Sequence, residues 1–252
     1  MEYDFRDGSR YVCLIFLLFF SVIGGDLELY SEPAAPKNLF VLSGQSNMEN
    51  LDVDKYFAPV VEKRFGENKV SIVKAAKGSE PISSWYDAHS EDRPESKKSL
   101  GELYLKSVGQ IKEISGNTEF RSVTFLWMQG ERDAYKSKGP YYEANLKGLL
   151  GELSKDTGCS NINVVIGRLS DFGTGKKEYP HWSVIRRIHE KVASERANIV
   201  WVDTDDLNDF HTGSAASPVD RLHYTEDGYK LLGRRFANES IRLLEKFDCS
   251  SA

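Results

Sequence analysis

The stretch Lys37 to Asn50, KNLFVLSGQSNMEN, predicts the start of the fold and the position of its chemistry. Its apolar residues 39–42 form a short run that stops at a serine and a glycine, which is typical of a buried strand ending in a turn. Ser46 follows almost at once. Because ligands of a parallel α/β sheet bind beyond the carboxyl ends of the strands, Ser46 is a candidate nucleophile.

Two interpretations of Ser46 compete. A serine hydroxyl is a weak nucleophile until an adjacent base takes its proton, and at a strand end this serine would also offer its backbone N–H to an oxyanion. Alternatively, Ser46 and Asn47 cap a helix, as Ser and Asn often do. Residues further along the chain have to decide between these interpretations.

The chain of 252 residues suits a single α/β domain with a sizeable core. Its composition, 40% hydrophobic and 12% aromatic, is that of a globular protein. A net charge of −5 argues against a nucleic-acid partner or an anionic membrane. With no HExxH, no paired CxxC and only five histidines, no metal and no other cofactor is predicted.

The N-terminal region is interpreted as an export signal. Its apolar run, residues 11–23, is shorter than the roughly 20 residues that span a bilayer and follows two arginines. Residues 1–25 are therefore expected to be a signal peptide, with an uncleaved membrane anchor as the alternative. Residues 26–36 form a lead-in and residues 37–252 the domain, which we expect to be secreted or periplasmic. The oligomeric state is left open.

Three cysteines occur in the chain, and Cys13 lies in the leader. The remaining two, Cys159 and Cys249, could form a disulfide in an exported protein. Two free thiols are an equal alternative, because two cysteines define no framework.

Further β-rich runs alternate with amphipathic helical patterns along the rest of the chain. Strands are predicted at 70–76, 123–128, 163–169 and 198–202. This alternation predicts a mostly parallel, three-layer α/β/α sandwich with about five strands.

The polar loop 82–98 contains the aromatic residues Trp85 and Tyr86, together with His89. Aromatic rings on such a loop suit stacking against sugar faces, although Trp85 could equally cover the core. Ser99 is predicted to cap the helix that follows.

Two predicted strand ends carry candidate oxyanion donors. Gly78 lacks a Cβ, so its backbone can approach a ligand closely, and Gln129 can aim its side-chain NH₂ at an oxyanion. If neither residue is catalytic, Gly78 is an ordinary turn glycine and Gln129 holds a loop in place through hydrogen bonds. Glu131 and Asp133 also suggest a two-carboxylate glycosidase, but such pairs usually come from separate elements that face each other across the substrate.

The segment DRLH at 220–223 supplies a candidate base. Asp220 lies three residues before His223 and can reach its Nδ1–H, which would fix the tautomer and leave Nε2 to take the Ser46 proton. The alternative for this pattern is a surface turn. A final helix beginning at Thr225 would hold the base in place.

Four motifs together resemble the four blocks of SGNH-type hydrolases. They are GQSNM at 44–48, Gly78-Ser79, QGERD at 129–133 and DRLH at 220–223. The set is most similar to the sialate O-acetylesterase and acetylxylan esterase-like branch, whose third block uses Gln. The resemblance extends from about Lys37 to Phe247, and its specificity comes from the order of the blocks and their placement at strand ends.

The resemblance implies a flavodoxin-like fold and metal-free removal of acetyl groups from carbohydrate through an acyl-enzyme. It makes Ser46 the nucleophile, His223 the base and Asp220 the partner that orients the base. The Ser46 N–H, the Gly78 N–H and the Gln129 side chain would form the oxyanion hole. The implied partner is an O-acetylated carbohydrate, such as xylan or a sialic acid.

Arg132 departs from the pattern, since the third block usually has a small residue there. This cation puts the choice of substrate in question more than the mechanism. Two other functions stay open: an esterase for non-sugar short-chain esters, and a carbohydrate-binding protein without turnover. The joint presence of Ser46, Asp220 and His223 argues against the second.

Overall fold

The candidate residues lie on a five-stranded parallel sheet in a computed structural model that describes residues 36–88, 99–116, 119–208 and 221–250. The strands are β1 (Lys37–Gly44), β2 (Val70–Ala76), β3 (Tyr86–Asp87), β4 (Ser99–Leu100), β5 (Phe120–Met128), β6 (Asn163–Gly167) and β7 (Ile199–Val202). The main sheet has the order β2-β1-β5-β6-β7 with parallel pairing throughout, and β3 pairs with β4 as a separate antiparallel unit.

Eight α-helices connect and cover these strands in the described part of the chain. They are α1 (Ser46–Asn50), α2 (Val53–Tyr56), α3 (Ala58–Phe65), α4 (Glu102–Ser115), α5 (Glu131–Tyr135), α6 (Gly139–Thr157), α7 (Trp182–Ser194) and α8 (Glu226–Leu244). The predicted three-layer sandwich with five parallel strands is therefore confirmed. All described residues belong to one compact unit, Ala34–Ala252.

Two hydrophobic cores lie on opposite faces of the sheet because successive strand side chains point to opposite sides. In β1, Leu39 and Val41 pack into the core covered by α4, α6 and α7, whereas Phe40 and Leu42 pack into the core covered by α3 and α8. All four side chains are fully buried. Each such side chain contributes about 1.5–3 kcal/mol, so β1 is held firmly from both faces.

In the region after β2, the structure decides between the two alternatives for Trp85 and corrects the prediction for Ser99. Trp85 and Tyr86 are buried, and Trp85 donates from Nε1 to Ser43 Oγ at 2.6 Å, so it covers the core and offers no face to a sugar. Ser99 belongs to β4, and the helix after it begins at Glu102 without a side-chain cap. His89 and most of the loop 82–98 lie outside the described residues.

Cys159 and Cys249 form a disulfide with a Cα–Cα separation of 4.7 Å. The bond connects the end of α6 to the segment after α8 and closes 90 residues of chain. In the chain-entropy model a loop of that size stabilises the fold by about 4–5 kcal/mol.

The predicted leader, residues 1–25, and the lead-in up to residue 35 lie outside the described residues. In the part of the chain that the structure describes, no helix combines the length and the apolar character needed to cross a membrane.

Candidate active site

Three neighbouring strands end at the same level, and each is followed by a candidate residue. Gly44, the last residue of β1, is in register with the last residues of β2 and β5. A side chain on Gly44 would collide with the backbone of Met128, so glycine permits this close approach. Ser46, Gly78 and Gln129 follow these strand ends within two residues, which brings them to one edge of the sheet.

Ser46 and His223 meet at this edge. Ser46 is the first residue of α1, where the backbone N–H has no intrahelical acceptor. His223 comes from the loop before α8, whose N-cap Thr225 accepts a hydrogen bond from the Gly228 N–H at 3.0 Å. His223 Nε2 lies 2.9 Å from Ser46 Oγ, which is the distance that proton transfer to a general base requires.

Asp220, the predicted partner of His223, lies outside the described residues. Its role in orienting the imidazole stays a prediction.

Asn47 holds the base loop against α1, and the sequence had indicated it only as a helix cap. Its side-chain NH₂ donates to the carbonyl of Leu222, the residue before His223, and to Glu131 Oε1, both at 3.1 Å. Its Oδ1 accepts from the Tyr229 hydroxyl at 3.0 Å. Asn47 thereby connects α1, α5 and α8 around the Ser46–His223 contact. The available sequence signal was its position directly after Ser46.

Gly78 lies beside Ser46, but its N–H already has an acceptor. A Cβ built on Gly78 would lie 3.5 Å from Ser46 Cβ, an ordinary van der Waals contact, and 2.9 Å from Glu49 Oε2, so the Gly78 backbone lies close to both side chains. The Gly78 N–H donates to Glu49 Oε2 at 2.8 Å. Glu49, an exposed residue on α1, was missed by the sequence reasoning and occupies a predicted oxyanion donor.

Gln129 is fully buried, and its amide is committed to protein acceptors. Its NH₂ contacts Asp133 Oδ2 at 2.6 Å, the Glu80 carbonyl at 3.0 Å and Gln45 Oε1 at 3.3 Å. An amide nitrogen has two hydrogens, so these acceptors leave none for a further one. This geometry is that of the alternative in which Gln129 ties down a loop, and the oxyanion role stays a prediction.

Two buried carboxyl groups lie next to this amide on α5. Burial raises the pKa of Glu131 to about 7 and that of Asp133 to about 6. Glu131 Oε1 accepts from Asn47, and Asp133 Oδ2 accepts from Gln129 and from the Ile82 N–H at 2.9 Å. They are not a pair facing each other across an open cleft, which a glycosidase needs.

A cleft of about 160 Å³ opens beside the catalytic edge. Its lining residues are Gln45, Ser79, Glu131, Arg132, Tyr135, Tyr179 and Leu222. Three of these adjoin predicted site residues in the chain, because Gln45 precedes Ser46, Ser79 follows Gly78 and Leu222 precedes His223. Among residues 36–88, 99–116, 119–208 and 221–250, no group of histidine, cysteine and acidic side chains could hold a metal ion.

A family model described as carbohydrate esterase, sialic acid-specific acetylesterase, matches residues 50–242. The match covers more than half of the chain and includes His223 but begins after Ser46. No curated protein matches the chain.

Several solved structures share the fold. A protein from Arabidopsis thaliana has a TM-score of 0.59 at 18% identity and covers 84% of this chain and 99% of its own. A carbohydrate acetylesterase from Xanthomonas citri has a TM-score of 0.58 at 15% identity, with 84% of this chain and 57% of that one covered. A lipase from a goat rumen metagenome has a TM-score of 0.50 at 13% identity, with 82% and 97% covered.

Proposed function

Because this chain belongs to the carbohydrate esterase family described as sialic acid-specific acetylesterase, we propose that it removes O-acetyl groups from carbohydrate with Ser46 as nucleophile. Family membership makes it a carboxylic ester hydrolase. The observation that carries the assignment of residues is the 2.9 Å contact between Ser46 Oγ and His223 Nε2. A serine next to a histidine base is an activated nucleophile.

The reaction proceeds in two acyl transfers. Ser46 Oγ attacks the acetyl carbonyl carbon while His223 Nε2 takes the hydroxyl proton. The bond between the carbonyl carbon and the sugar oxygen then breaks, and His223 returns the proton to that oxygen. In the second half a water molecule attacks the acetyl-serine, gives its proton to His223, and releases acetate as the proton returns to Ser46. In this proposal Asp220 orients the imidazole.

The negative charge on the carbonyl oxygen is stabilised by hydrogen-bond donors at the strand ends. The first two proposed donors are the Ser46 and Gly78 N–H groups, and the second becomes available when Glu49 releases it. The Gln129 amide is the third proposed donor and has to leave one of its protein acceptors to serve. The small cleft suits a short acyl group, since sites for drug-sized ligands enclose about 300–1,000 Å³.

Acetate release tests this function directly. Wild type and Ser46→Ala are compared on acetylated xylan, O-acetylated sialoglycan and 4-nitrophenyl acetate, with circular dichroism as the control for folding. We expect release by wild type and its loss in Ser46→Ala, and the preferred polymer identifies the substrate. A folded wild type that releases acetate from none of the three contradicts the proposal.

Two further measurements separate the alternatives. A fluorophosphonate probe labels an activated serine, so a binding protein without turnover would remain unlabelled while wild type, and not Ser46→Ala, is expected to react. A series of 4-nitrophenyl esters from acetyl to octanoyl measures the acyl preference. Rates that rise with chain length would favour an esterase for non-sugar esters.

A further inference from the structure

We propose that Tyr142 and His189 are positioning residues of the esterase, because they hold the main chain of Gln129 in place while its side chain turns from its protein acceptors to the oxyanion. The inference rests on the proposed function and on the third oxyanion donor assigned there. Gln129 is the first residue after β5, and its side chain can serve only by moving. A donor that moves reaches a defined position only if the backbone that carries it stays fixed.

The Tyr142 hydroxyl binds the carbonyl oxygen of Gln129. Tyr142 lies on α6, is fully buried, and donates its single hydroxyl hydrogen to this carbonyl at 2.8 Å. The hydroxyl also accepts from Trp127 Nε1 at 3.0 Å, and Trp127 is a residue of β5. One buried hydroxyl of α6 is thus bonded both to the end of the strand and to the first residue after it.

His189 completes the hydrogen bonds of this hydroxyl. Its Nε2 lies 3.0 Å from the Tyr142 oxygen. Because the hydroxyl hydrogen is given to Gln129, Nε2 has to be the donor, so the neutral imidazole carries its proton on Nε2. His189 is fully buried, and burial together with the charges of Arg186 and Arg168 lowers its pKa to about 3. The imidazole is therefore neutral at pH 7 and bonds to Tyr142 in this tautomer.

The other ring nitrogen of His189 argues against a role in packing alone. Nδ1 is buried and has no hydrogen-bond partner among the described residues. A buried polar atom without a partner destabilises a fold, so an apolar side chain would suit this part of the core better. The hydrogen bond that Nε2 donates to Tyr142 is the property that an apolar side chain lacks.

A second contact from α7 fixes the residue after Gln129. The chain turns at Gly130, where φ is +141°, a conformation that favours glycine. A Cβ on Gly130 would lie 2.7 Å from Ile185 Cγ2, so α7 packs directly against this turn. Ile185 and His189 are four residues apart and lie on the same face of α7. That face therefore contacts the turn at Gly130 and, through the Tyr142 hydroxyl, supports Gln129.

The side chain of Gln129 is held by different groups from those that hold its main chain. The acceptors of its NH₂ are Asp133, the Glu80 carbonyl and Gln45. None of these residues belongs to α6 or α7. The side chain can therefore leave its acceptors while the Tyr142 hydroxyl stays bonded to the carbonyl.

A double-mutant cycle on 4-nitrophenyl acetate tests whether Tyr142 acts through Gln129. Tyr142→Phe is made in wild type and in Gln129→Ala. We expect kcat to fall by about tenfold in the first background, with KM nearly unchanged, and by less than about twofold in the second, where the donor is already absent. Equal factors in the two backgrounds would overturn the proposal, since the effect of the hydroxyl would then not pass through Gln129.

Tyr104→Phe is the matched control for the loss of a buried hydroxyl. Tyr104 is 2% exposed in the same core, and its hydroxyl donates at 2.6 Å to Asp156, in the last turn of α6. Urea denaturation should show a loss of stability in both tyrosine variants, whereas kcat of Tyr104→Phe should stay within about twofold of wild type. A fall in kcat equal to that of Tyr142→Phe would assign the effect to stability and overturn the proposal.

His189→Gln and His189→Leu separate the hydrogen bond from the bulk of the ring. A glutamine NH₂ can donate to the Tyr142 hydroxyl, whereas leucine cannot. We expect kcat to stay within about threefold of wild type in His189→Gln and to fall by about fivefold or more in His189→Leu. Equal rates in the two variants, or the reverse order, would overturn the role of His189.

NMR spectroscopy gives readouts that require no turnover, which separates this inference from the proposed function. The ring nitrogen shifts of His189 should be those of the Nε2–H tautomer, and the carbonyl carbon shift of Gln129 should move in Tyr142→Phe but not in Tyr104→Phe. An Nδ1–H tautomer, or a carbonyl that does not respond, would overturn the inference even in an active esterase. An inactive wild type with both signals as expected would contradict the proposed function and reduce these residues to supports of the turn.

Discussion

In the proposed active site, the Ser46–His223 contact and the predicted oxyanion donors are two halves that differ in their hydrogen bonds. The hydroxyl and the imidazole already lie 2.9 Å apart. The Gly78 N–H and the Gln129 amide lie at the same edge but bond to protein carboxylates, Glu49 and Asp133. In the proposed mechanism, activation of Ser46 is thus pre-organised, while stabilisation of the oxyanion requires protein acceptors to give way.

This difference has a physical origin. An oxyanion hole consists of donors aimed at a charge that exists only during the reaction. In the resting protein that charge is absent, so such donors bind a nearby protein acceptor instead, and a carboxylate is a strong one.

The largest expected effect comes from breaking the Ser46–His223 contact. His223→Ala should lower kcat by on the order of 10⁴-fold or more, because Ser46 loses its proton acceptor. Hydrolysis of 4-nitrophenyl acetate measures the loss. His181→Asn is the control, since His181 accepts from the Gly139 N–H at 3.1 Å and asparagine retains an acceptor for it. A His223→Ala variant within tenfold of wild type would exclude His223 as the base.

Gln129→Ala tests the proposed oxyanion donor whose amide is bonded to protein acceptors. If the amide leaves its acceptors to bind the oxyanion, kcat should fall by roughly a hundredfold. The unfolding free energy should also fall by about 1–3 kcal/mol, because the buried Asp133 loses a hydrogen-bond donor. Kinetics and urea denaturation give the two quantities. Asp133→Asn is the comparison, and a kcat loss no greater than in that variant would assign Gln129 to the loop alone.

The titration of the buried Glu131 carboxyl should appear as a pH dependence of the unfolding free energy. The native state binds this proton more tightly than the unfolded chain, because burial raises the pKa of Glu131 to about 7 from an ordinary value of 4.5. Its favourable contribution is therefore complete below about pH 4.5 and is lost as the pH rises through 7. Relative to wild type, the neutral Glu131→Gln should gain up to about 3 kcal/mol in unfolding free energy between pH 4.5 and pH 8.

Urea denaturation across this pH range measures the gain. The exposed Glu67→Gln serves as the control for removal of a carboxylate elsewhere on the surface. A pH dependence of Glu131→Gln that parallels wild type would show that Glu131 is ionised throughout.

Asn47→Ala should make the position of His223 relative to Ser46 less fixed without removing a reacting group. The base loop loses its hydrogen bond at Leu222, and we expect kcat to fall by about tenfold or more because His223 is less well placed. Asn50→Ala is a close control, since Asn50 donates to the same Tyr229 hydroxyl, at 3.1 Å, from which Asn47 accepts, but is exposed and has no hydrogen bond to the base loop among those of the described residues. Equal rates in the two variants would contradict a positioning role for Asn47.

The smallest effect should come from releasing the Gly78 N–H from its hydrogen bond to Glu49. Glu49→Ala removes the acceptor of the Gly78 N–H, and we expect kcat on 4-nitrophenyl acetate to rise by roughly fivefold, about the strength of one exposed hydrogen bond. Asp54→Ala removes an exposed carboxylate of α2 and controls for the change in net charge. A fall in rate specific to Glu49→Ala would indicate that this carboxylate assists the reaction.

The fold was predictable because its signals are local. Apolar runs such as residues 39–42 end at turn residues, and amphipathic patterns separate one run from the next, so five parallel strands follow from chain order. The exceptions lie where a tertiary partner overrides the local pattern. Ser99 pairs in β4 instead of capping a helix, and Trp85 finds a buried acceptor in Ser43.

By itself, the sequence determined the sheet, the strand ends on which chemistry is placed, and the meeting of Ser46 with His223 across 177 positions of chain. Only the tertiary structure decided which acceptor each donor takes and which side chains line the cleft. Strand periodicity is set by neighbours along the chain. Hydrogen-bond partners are set by competition between groups that are close only after folding.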